Sequence, residues 1–560
     1  MPQDDPSEPP DRGGSIVGLV YGKTPSAVPW MSMGLLSDRE RDLGEALSAL
    51  TTCNPFGEER IALERRALGE AFLASGLVWH RRAEGSPHNP NEAPLAAEAE
   101  RLAAVLRGRL VASRARSATR ASQRELDIYR DLVLYVLYYR YQAEIYEALH
   151  GPASAPRRPL AFYGRFVSDL DSFLALPGHT IPPPQPAPHL FAYFVQVRRA
   201  FHLVINAFVG RSAPAARLRA QVWESIFTRD TRRYRRALWS RMGDITTLVV
   251  GPSGTGKELV ARAVALARYL PFDAERCTCE EITDTAFQPL NLAALSPTLI
   301  ESELFGHRRG AFTGAVAERA GWLEVCPHVG TVFLDEIAET EPAIQVKLLR
   351  VLETRVFSRL GESRPRSFRG KLIAATNRDL AVEIREGRFR EDLYYRLCAD
   401  TVTTPTLFER LADTPEELPL LVGFLAQRLV GEDEGPAVAA EVVAWIQAHL
   451  GDDYPWPGNV RELMQCTSNV LVRGRYEPAG RAVAGGAGAG TAAGPRERLA
   501  AELAVGNLSA EEALNRYCSL VYADTGSYVE AAERLGLDRR TVRGRVDREL
   551  ARSLRAAARR

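Results

Sequence analysis

The sequence predicts a multidomain chain: a mostly helical N-terminal domain, then an α/β core with a helical appendage, then a small all-α C-terminal domain. Its 560 residues exceed what one core holds at a rule of thumb of ~150 residues per domain. Short apolar runs alternate with helical patterns only from Ile245 to about residue 405, the signature of a parallel α/β sheet. The Gly/Ala run RAVAGGAGAGTAAGPRER at 481–498 sets the last segment apart as a linker would.

In chain order, the acidic, proline-rich start at residues 1–14 reads as a disordered tail. Residues 15–220 form the helical N-terminal domain. Within it Glu125–Leu149 carries no Gly or Pro and is apolar nearly all round, so a mostly buried helix is expected there. The run PGHTIPPPQPAPH at 177–189 is expected to be a loop, because its prolines lack the N–H a helix needs. A further helical stretch at 190–242 leads into the α/β core at 221–405. There TTLVV (246–250), TVFLD (331–335) and KLIAAT (371–376) are expected as buried strands. Helical pattern returns at 406–475, the flexible linker takes 476–499, and 500–560 is the C-terminal domain.

Net charge is +1, which by itself says nothing about nucleic acid. The charge is uneven, however: Glu533–Arg560 holds ten arginines against four acids, a basic patch. The seven cysteines are scattered and odd in number, unlike a disulfide framework, and Cys277 and Cys279 stand too close for usual zinc-ligand spacing. The start lacks the features of a signal peptide. The most apolar stretch, Leu190–Val209, is interrupted by Arg198, Arg199 and His202, which argues against a spanning helix. The expectation is a cytoplasmic protein with no membrane association.

The chemistry begins at GPSGTGKE (251–258), which follows a predicted strand and opens a predicted helix. In that context Gly251, Pro252, Ser253, Gly254, Thr255 and Gly256 form a phosphate-cradling loop. Its N–H groups and the helix N-terminus face the phosphates, and Lys257 reaches the β/γ-phosphates. Glu258 stands where such loops usually carry a Ser/Thr magnesium ligand. TVFLDEIAE then delivers two adjacent acids at the carboxyl end of a strand, where sheet ligands bind. Asp335 is the candidate Mg2+ ligand and Glu336 the group that polarises the attacking water of an ATP hydrolysis.

Between these motifs lies ESELFGHRRGAFTGA (301–315), and LLRVLE (348–353), AATNRDL (374–380), GRFREDLYYRL (387–397) and WPGNVREL (456–463) follow. This ordered set, over about 245–470, resembles the sigma-54-dependent transcriptional activators, or bacterial enhancer-binding proteins, which are AAA+ ATPases. The resemblance implies an α/β AAA+ P-loop core with a helical lid. It implies that Gly310, Ala311, Phe312, Thr313, Gly314 and Ala315 form a mobile loop touching sigma-54, with Phe312 and Thr313 at its tip. By position, Asn291 matches a switch asparagine restraining the catalytic glutamate, Thr376 and Asn377 match sensor I, and Arg461 matches sensor II. Arg390 and Arg396 match arginine fingers, which act on a neighbouring subunit's ATP, so the resemblance implies a homo-oligomer running from dimer to hexameric ring. The chain departs from the family at 398–421, CADTVTTPTLFERLADTPEELPLL, where the contacts at the base of the lid are expected to change, and at 221–244.

GSYVEAAERLGLDRRTVRGRVDREL (526–550) reads as helix, turn at Gly536, helix. Ala531 and Ala532 allow close approach, and Leu535, Leu537 and Val542 are the expected core. Arg539, Arg540, Thr541, Arg543 and Arg545 lie on or near the face that would meet a major groove. The segment resembles the Fis-type helix-turn-helix, with 508–523 as a packing or dimerising helix and double-stranded DNA upstream of a promoter as partner. In the N-terminal domain, Tyr129, Tyr135, Tyr138, Tyr139, Tyr141 and Tyr146, joined by Phe162, Tyr163 and Phe166, either line a ligand pocket or, as aromatics at helical spacing more often do, pack a core.

The functional expectation is a sigma-54-dependent activator that couples ATP hydrolysis to opening of the promoter complex of sigma-54 RNA polymerase holoenzyme. Two rivals stand beside it. A different AAA+ remodeller would lack the GAFTGA insertion, and a DNA-binding regulator with a vestigial ATPase would be expected to have lost that loop or its acids.

Overall fold

A computed structural model describes residues 34–74, 89–115, 121–150, 159–176, 179–280, 286–478, 510–547 and 550–551. The expected N-terminal tail and nearly all of the expected linker lie outside the described residues. The chain divides into two compact units, Met1–Arg475 and Tyr476–Arg560.

The first unit opens with α1 (Asp38–Leu50), α2 (Glu58–Leu68), α3 (Glu92–Ala115), α4 (Gln123–His150) and α5 (Tyr163–Leu174). Ser37 starts α1 with a capping box: its hydroxyl accepts from the Glu40 N–H while the Glu40 carboxylate accepts from the Ser37 N–H, so two orphan donors are satisfied at once. The apolar run in α4 is buried continuously from Asp131 to Leu137. That continuity has a packing cause, since α1, α3, α5 and α6 (Ala187–Ala207) all lie against α4.

The proline-rich run expected as a loop at 177–189 is shorter. β1 (Ala175–Leu176) pairs antiparallel with β2 (His179–Thr180), and α6 already begins at Ala187. Pro188 sits in its first turn, where a missing N–H removes no helical hydrogen bond. Next come α7 (Ala213–Phe227) and α8 (Thr231–Arg233), which continues as a π-helical turn over Tyr234–Leu238.

The α/β core is a five-stranded sheet. Along the chain it contributes β3 (Thr247–Val250) and α9 (Lys257–Leu266), the hairpin of β4 (Phe272–Asp273) with β5 (Thr278–Cys279), then β6 (Phe287–Asn291) and α10 (Pro297–Phe305). The small pair β7 (Gly306–His307) and β8 (Arg319–Ala320) precedes α11 (Trp322–Val325), β9 (Thr331–Asp335) and α12 (Pro342–Thr354). A second small pair, β10 (Val356–Phe357) and β11 (Arg366–Ser367), leads to β12 (Lys371–Thr376), α13 (Leu380–Arg385), α14 (Glu391–Leu397) and β13 (Asp400–Thr403). The sheet order is β13-β3-β12-β9-β6, parallel throughout.

The three strands expected from apolar continuity are the three central ones. The two edges escaped that signal: β6 contains Pro289, which an edge strand tolerates, and β13 is the polar stretch DTVT. The altered 398–421 segment therefore begins by closing the sheet at the flank of β3.

Both faces of the sheet are covered, and alternate residues of each strand go to opposite sides. Ile373 and Ala375 join the core that holds Val249, Val260 and Phe333, while Leu372 and Ala374 join that of Leu248, Val332 and Leu334. The first of these cores runs unbroken into the N-terminal helices, through Tyr129, Phe166, Phe191 and Trp223. Helices α6 and α7 pack on α9, the Gln196 amide donates to the Ala267 carbonyl at 2.9 Å, and the Tyr234 hydroxyl donates to Gln196 at 2.9 Å.

The first unit ends in α15 (Leu407–Asp413), α16 (Glu417–His449) and α17 (Asn459–Arg473). α16 is two helices meeting at Gly431, whose φ of 87° breaks the helical path. Glu417, fully buried, accepts from the N–H groups of Arg211 at 2.8 Å and Ser212 at 2.6 Å and pairs with Arg410. The base of this helical segment is thereby tied to the start of α7. Among the described residues no helix is long and apolar enough to cross a membrane.

The second unit contains α18 (Ala510–Thr525), α19 (Tyr528–Leu535) and α20 (Arg539–Arg545). Ser527 and Asp538 cap the last two through their side chains, and Gly536 takes φ 65° between them. Ala531, Ala532, Val542 and Val521 are its buried centre, with Leu535 and Leu537 packed against it. Residues 508–509 of the expected packing helix, and the basic residues 548, 552, 555, 559 and 560, lie outside the described residues.

Candidate nucleotide-binding site

The four strands β3, β12, β9 and β6 end side by side, and each carries an expected site residue at or just beyond its carboxyl end. Gly251 follows β3, Asn377 follows β12, Asp335 closes β9, and Asn291 closes β6 in register with Asp335. This is the end of a parallel sheet at which helix N-termini and loop N–H groups converge.

The loop from Gly251 to Gly256 has its shape because three of its glycines take positive φ: 149° at Gly251, 79° at Gly254 and 99° at Gly256. A Cβ at Gly251 would lie 2.1 Å from the Thr404 hydroxyl, and one at Gly254 would lie 2.2 Å from the Gly458 carbonyl. No L side chain fits either place. Ser253 is exposed; Thr255 is buried, its hydroxyl donating to the Pro252 carbonyl and meeting the Thr404 hydroxyl at 2.6 Å. Lys257, the first residue of α9, turns its ammonium onto the carbonyls of Gly251 and Pro252 at 3.0 and 3.2 Å. Burial lowers its pKa, and the nearby Glu336 and Asp335 charges oppose that shift. Glu258 is exposed one position further on.

Asp335 is half-buried, and burial raises its pKa against the counter-pull of Lys257 and of the Glu336 N–H. Glu336 adopts φ 55°, ψ 51°, a left-handed conformation that costs a non-glycine residue roughly 1–2 kcal/mol and turns the chain out of the strand. The carboxylate so placed accepts from the Asn377 N–H at 3.3 Å. The side chain of Asn291, expected to restrain this glutamate, accepts from the Ala293 N–H and caps a short 3-10 turn. Being an acceptor one turn from its own backbone, it competes locally, as Asn commonly does. Thr376 is fully buried and its hydroxyl accepts from the Arg378 N–H.

The helical segment reaches the same loop. Arg461 on α17 donates to the Ser253 hydroxyl at 2.9 Å, and the Asn459 amide donates to the Ser253 carbonyl at 2.9 Å. Asn459 also accepts from the Leu407 N–H and holds φ 52°. Asn459 and Thr404 were not singled out from the sequence. The first stands inside the quoted WPGNVREL, where its asparagine was a signal within reach; the second lies in the departing segment, where nothing marked it. Arg390 and Arg396 lie apart from this cluster in hydrogen-bonding terms. Arg390 pairs with Asp392 across 2.6 Å and Arg396 with Glu353 across 3.6 Å, all of them largely exposed.

GAFTGA forms a compact turn between β7 and β8. The Gly310 N–H donates to the Ala315 carbonyl at 2.9 Å and the Ala315 N–H to the Phe312 carbonyl at 3.0 Å. The Phe312 ring packs edge-on against His307, centroids 5.0 Å apart, and His307 is itself bonded to Ser302. Ala311 is half-buried under Gly361; Gly310, Thr313 and Gly314 are exposed, and Ala315 is buried. In the second unit Arg539, Arg540, Thr541 and Arg543 are exposed, whereas Arg545 turns back and donates to Asn515 of α18 at 3.0 Å.

Residues 228–403 match the family model of the sigma-54 interaction domain. The chain is 39% identical over 305 residues to a Nif-specific regulatory protein of Azotobacter vinelandii, covering 54% of this chain and 53% of that one. It is 45% identical over 231 residues to the Nif-specific regulatory protein of Herbaspirillum seropedicae, 41% of this chain and 39% of the relative. The transcriptional regulatory protein ZraR of Salmonella typhimurium is 42% identical over 238 residues, 42% of this chain and 49% of its own length. The chain thus spans about half the length, or less, of the curated relatives it matches. The central part of the chain, residues 228–403, is similar to the sigma-54 interaction domain that the family model describes, and the matched stretches of these regulatory proteins cover about half or less of the chain.

Proposed function

We propose that the chain is an ATP-driven activator that remodels sigma-54 RNA polymerase holoenzyme from the closed to the open promoter complex while held to upstream DNA by its second unit. One observation carries the reading. The glycine loop, Lys257, the Asp335–Glu336 pair and the α17 residues Asn459 and Arg461 converge on one end of the sheet, and the GAFTGA turn projects from the same α/β core. A cytoplasmic location follows from that partner.

The residues fit a Mg2+-nucleotide. Gly251 and Gly254 stand where no Cβ fits, in a loop that ends at the N-terminus of α9, and glycine loops of this kind bind phosphate through their N–H groups. Asp335 is a partly buried carboxylate whose burial penalty a cation would relieve. Asp335 would hold the ion, which when bound neutralises phosphate charge. Glu258 in place of a hydroxyl leaves fewer neutral ligands beside it. Lys257 would exchange its two carbonyl partners for phosphate oxygens, and Glu336, already aimed by its left-handed backbone and the Asn377 N–H, would orient the attacking water.

Arg461 would report phosphate to the lid through the Ser253 contact. Arg390 and Arg396, exposed on the rim of α14, would serve a neighbouring subunit's nucleotide in a ring, and Phe312 with Thr313 would meet sigma-54. In the second unit, Arg539, Arg540, Thr541 and Arg543 would contact DNA. Arg545 contributes there only by leaving Asn515.

The deciding experiment is ATP-dependent promoter opening by the full chain with purified sigma-54 holoenzyme. Opening by the wild type, lost in Thr313→Ala with ATP turnover retained, is the expected result. A chain that hydrolyses ATP yet opens no sigma-54 promoter would replace this reading with another kind of remodeller.

A further inference from the structure

The N-terminal helices enclose a cavity of about 370 Å³, toward the lower end of the ~300–1,000 Å³ typical of small-molecule sites. It is lined from α1 and the loop after it, the start of α3, α4, α6, α7 and the α8 turn, and its walls include Tyr135, Tyr138, Tyr139, Phe194, Phe201 and Trp223. Rings pack densely around it: Tyr135 against Tyr139 at 4.7 Å and Tyr138 against Phe194 at 5.6 Å. The aromatic cluster is therefore both core and wall, not one or the other.

The polar groups of the lining are what single it out. Arg198 Nε, Arg235 Nε and Trp223 Nε1 are buried N–H donors that meet no acceptor among the protein's own atoms, and all three residues line this one cavity. Arg235 and Trp223 are 5% and 3% exposed. A buried donor left unpaired costs roughly 1–3 kcal/mol, so three at one site form a costly arrangement that an acceptor-bearing ligand would relieve. The charge has a sign as well: two guanidinium groups face the cavity against a single carboxylate, Glu92, which already accepts from the Gln142 amide at 2.9 Å. The guanidinium planes are fixed by rings outside their hydrogen-bonding edges, Arg198 over Tyr146 at 4.8 Å and Arg235 over Tyr193 at 5.6 Å.

We propose that this cavity is a binding site for a small aromatic carboxylate, its ring between the tyrosine walls and its oxygens on Arg198, Arg235 and the Trp223 indole. An uncharged ring would leave the three donors unpaired, and an aliphatic acid would forgo the aromatic walls. The helices that line it, α6 and α7, are those that pack on α9 behind Lys257, so the ligand would bind one layer from the P-loop helix. The proposal does not depend on ATP turnover or on sigma-54.

Calorimetric titration of the full chain with benzoate, phenylacetate and 4-hydroxyphenylacetate, each beside its matching primary alcohol and beside cyclohexanecarboxylate, tests it. At least one aromatic acid is expected to bind saturably with Kd below about 1 mM, and its alcohol and the cyclohexane acid at least tenfold more weakly. Trp223→Phe removes one donor and part of the ring's volume, and Arg198→Met removes a partly buried charge. Each is expected to weaken the acid about tenfold while the unliganded chain stays folded, read as an unchanged far-ultraviolet circular dichroism spectrum at the titration temperature. Absence of binding by all three acids, equal binding by the alcohol, or wild-type affinity in both variants would overturn the proposal. If Arg235→Met fails to fold, the other two variants still decide.

Discussion

The glycine loop opens α9, and the aromatic cavity is lined by α6 and α7, which pack on α9; the two are built from opposite materials. The cradle is almost all backbone: three glycines at positive φ and a helix N-terminus in one contiguous stretch, with a few polar contacts added from α17. The cavity is almost all side chain, drawn from segments between Leu50 and Arg235. Backbone-built sites demand particular residues at fixed spacing, so they leave a motif. A side-chain-built site demands only rings and donors that arrive together in space, and many sequences supply that.

Lys257→Ala should separate the two regions most sharply. It is expected to lower ATP turnover of the order of 10²–10³-fold, measured by phosphate release, and to leave aromatic-acid binding untouched. Gly254→Ala comes next. Its Cβ would sit 2.2 Å from the Gly458 carbonyl at φ 79°, and strain of roughly 1–3 kcal/mol is expected to weaken nucleotide binding tenfold or more, read by a fluorescent ATP analogue.

A comparable change in the cavity should be mild. Tyr138→Phe removes one buried hydroxyl, whose pKa burial pushes up to about 12, and should shift stability by about 1 kcal/mol with turnover unchanged. An equal loss of turnover in this variant would erase the distinction between the two sites.

The smallest effect belongs to the clip that closes the helical bundle, Glu40 on α1 with Arg109 on α3, paired across 2.6 Å. Hydrogen bonds from Arg109 and Ser37 lower the Glu40 pKa from 4.5 to about 2. Because the folded pKa is depressed, its stabilisation is fully present above about pH 4.5 and fades as pH falls through about 2. Arg109 is partly exposed and screened, so the effect is modest. Arg109→Met should melt earlier than wild type at neutral pH, with the gap closing as pH approaches 2; a constant gap would mean that the clip acts by packing alone.

Legibility tracked the physical cause of each feature. The central strands could be read because a strand covered on both faces is apolar at every position. The edges β6 and β13 could not, since Pro289 and the alternation of DTVT follow from having only one strand neighbour. The residues expected to hold a nucleotide gather at one end of the sheet, yet Thr404 and Asn459 join them unannounced and Asn291 caps its own turn. Sequence spacing says which residues are near a strand end, not which acceptor their side chains take. The aromatic cluster left two readings open because helical periodicity gives the face of a ring and not whether space remains beside it.

By itself, the sequence determined the order of architectures, the sheet's central strands, the glycine loop before α9 and the turn at Gly536, because each depends on local backbone requirements or on unbroken apolar runs. Only the tertiary structure decided that the N-terminal helices and the sheet share one core and that Glu417 ties the helical lid segment to α7. It also decided that three unpaired donors meet in one cavity. Those outcomes depend on contacts between segments separated by tens to hundreds of residues, where shape and hydrogen-bond competition, not pattern, set the result.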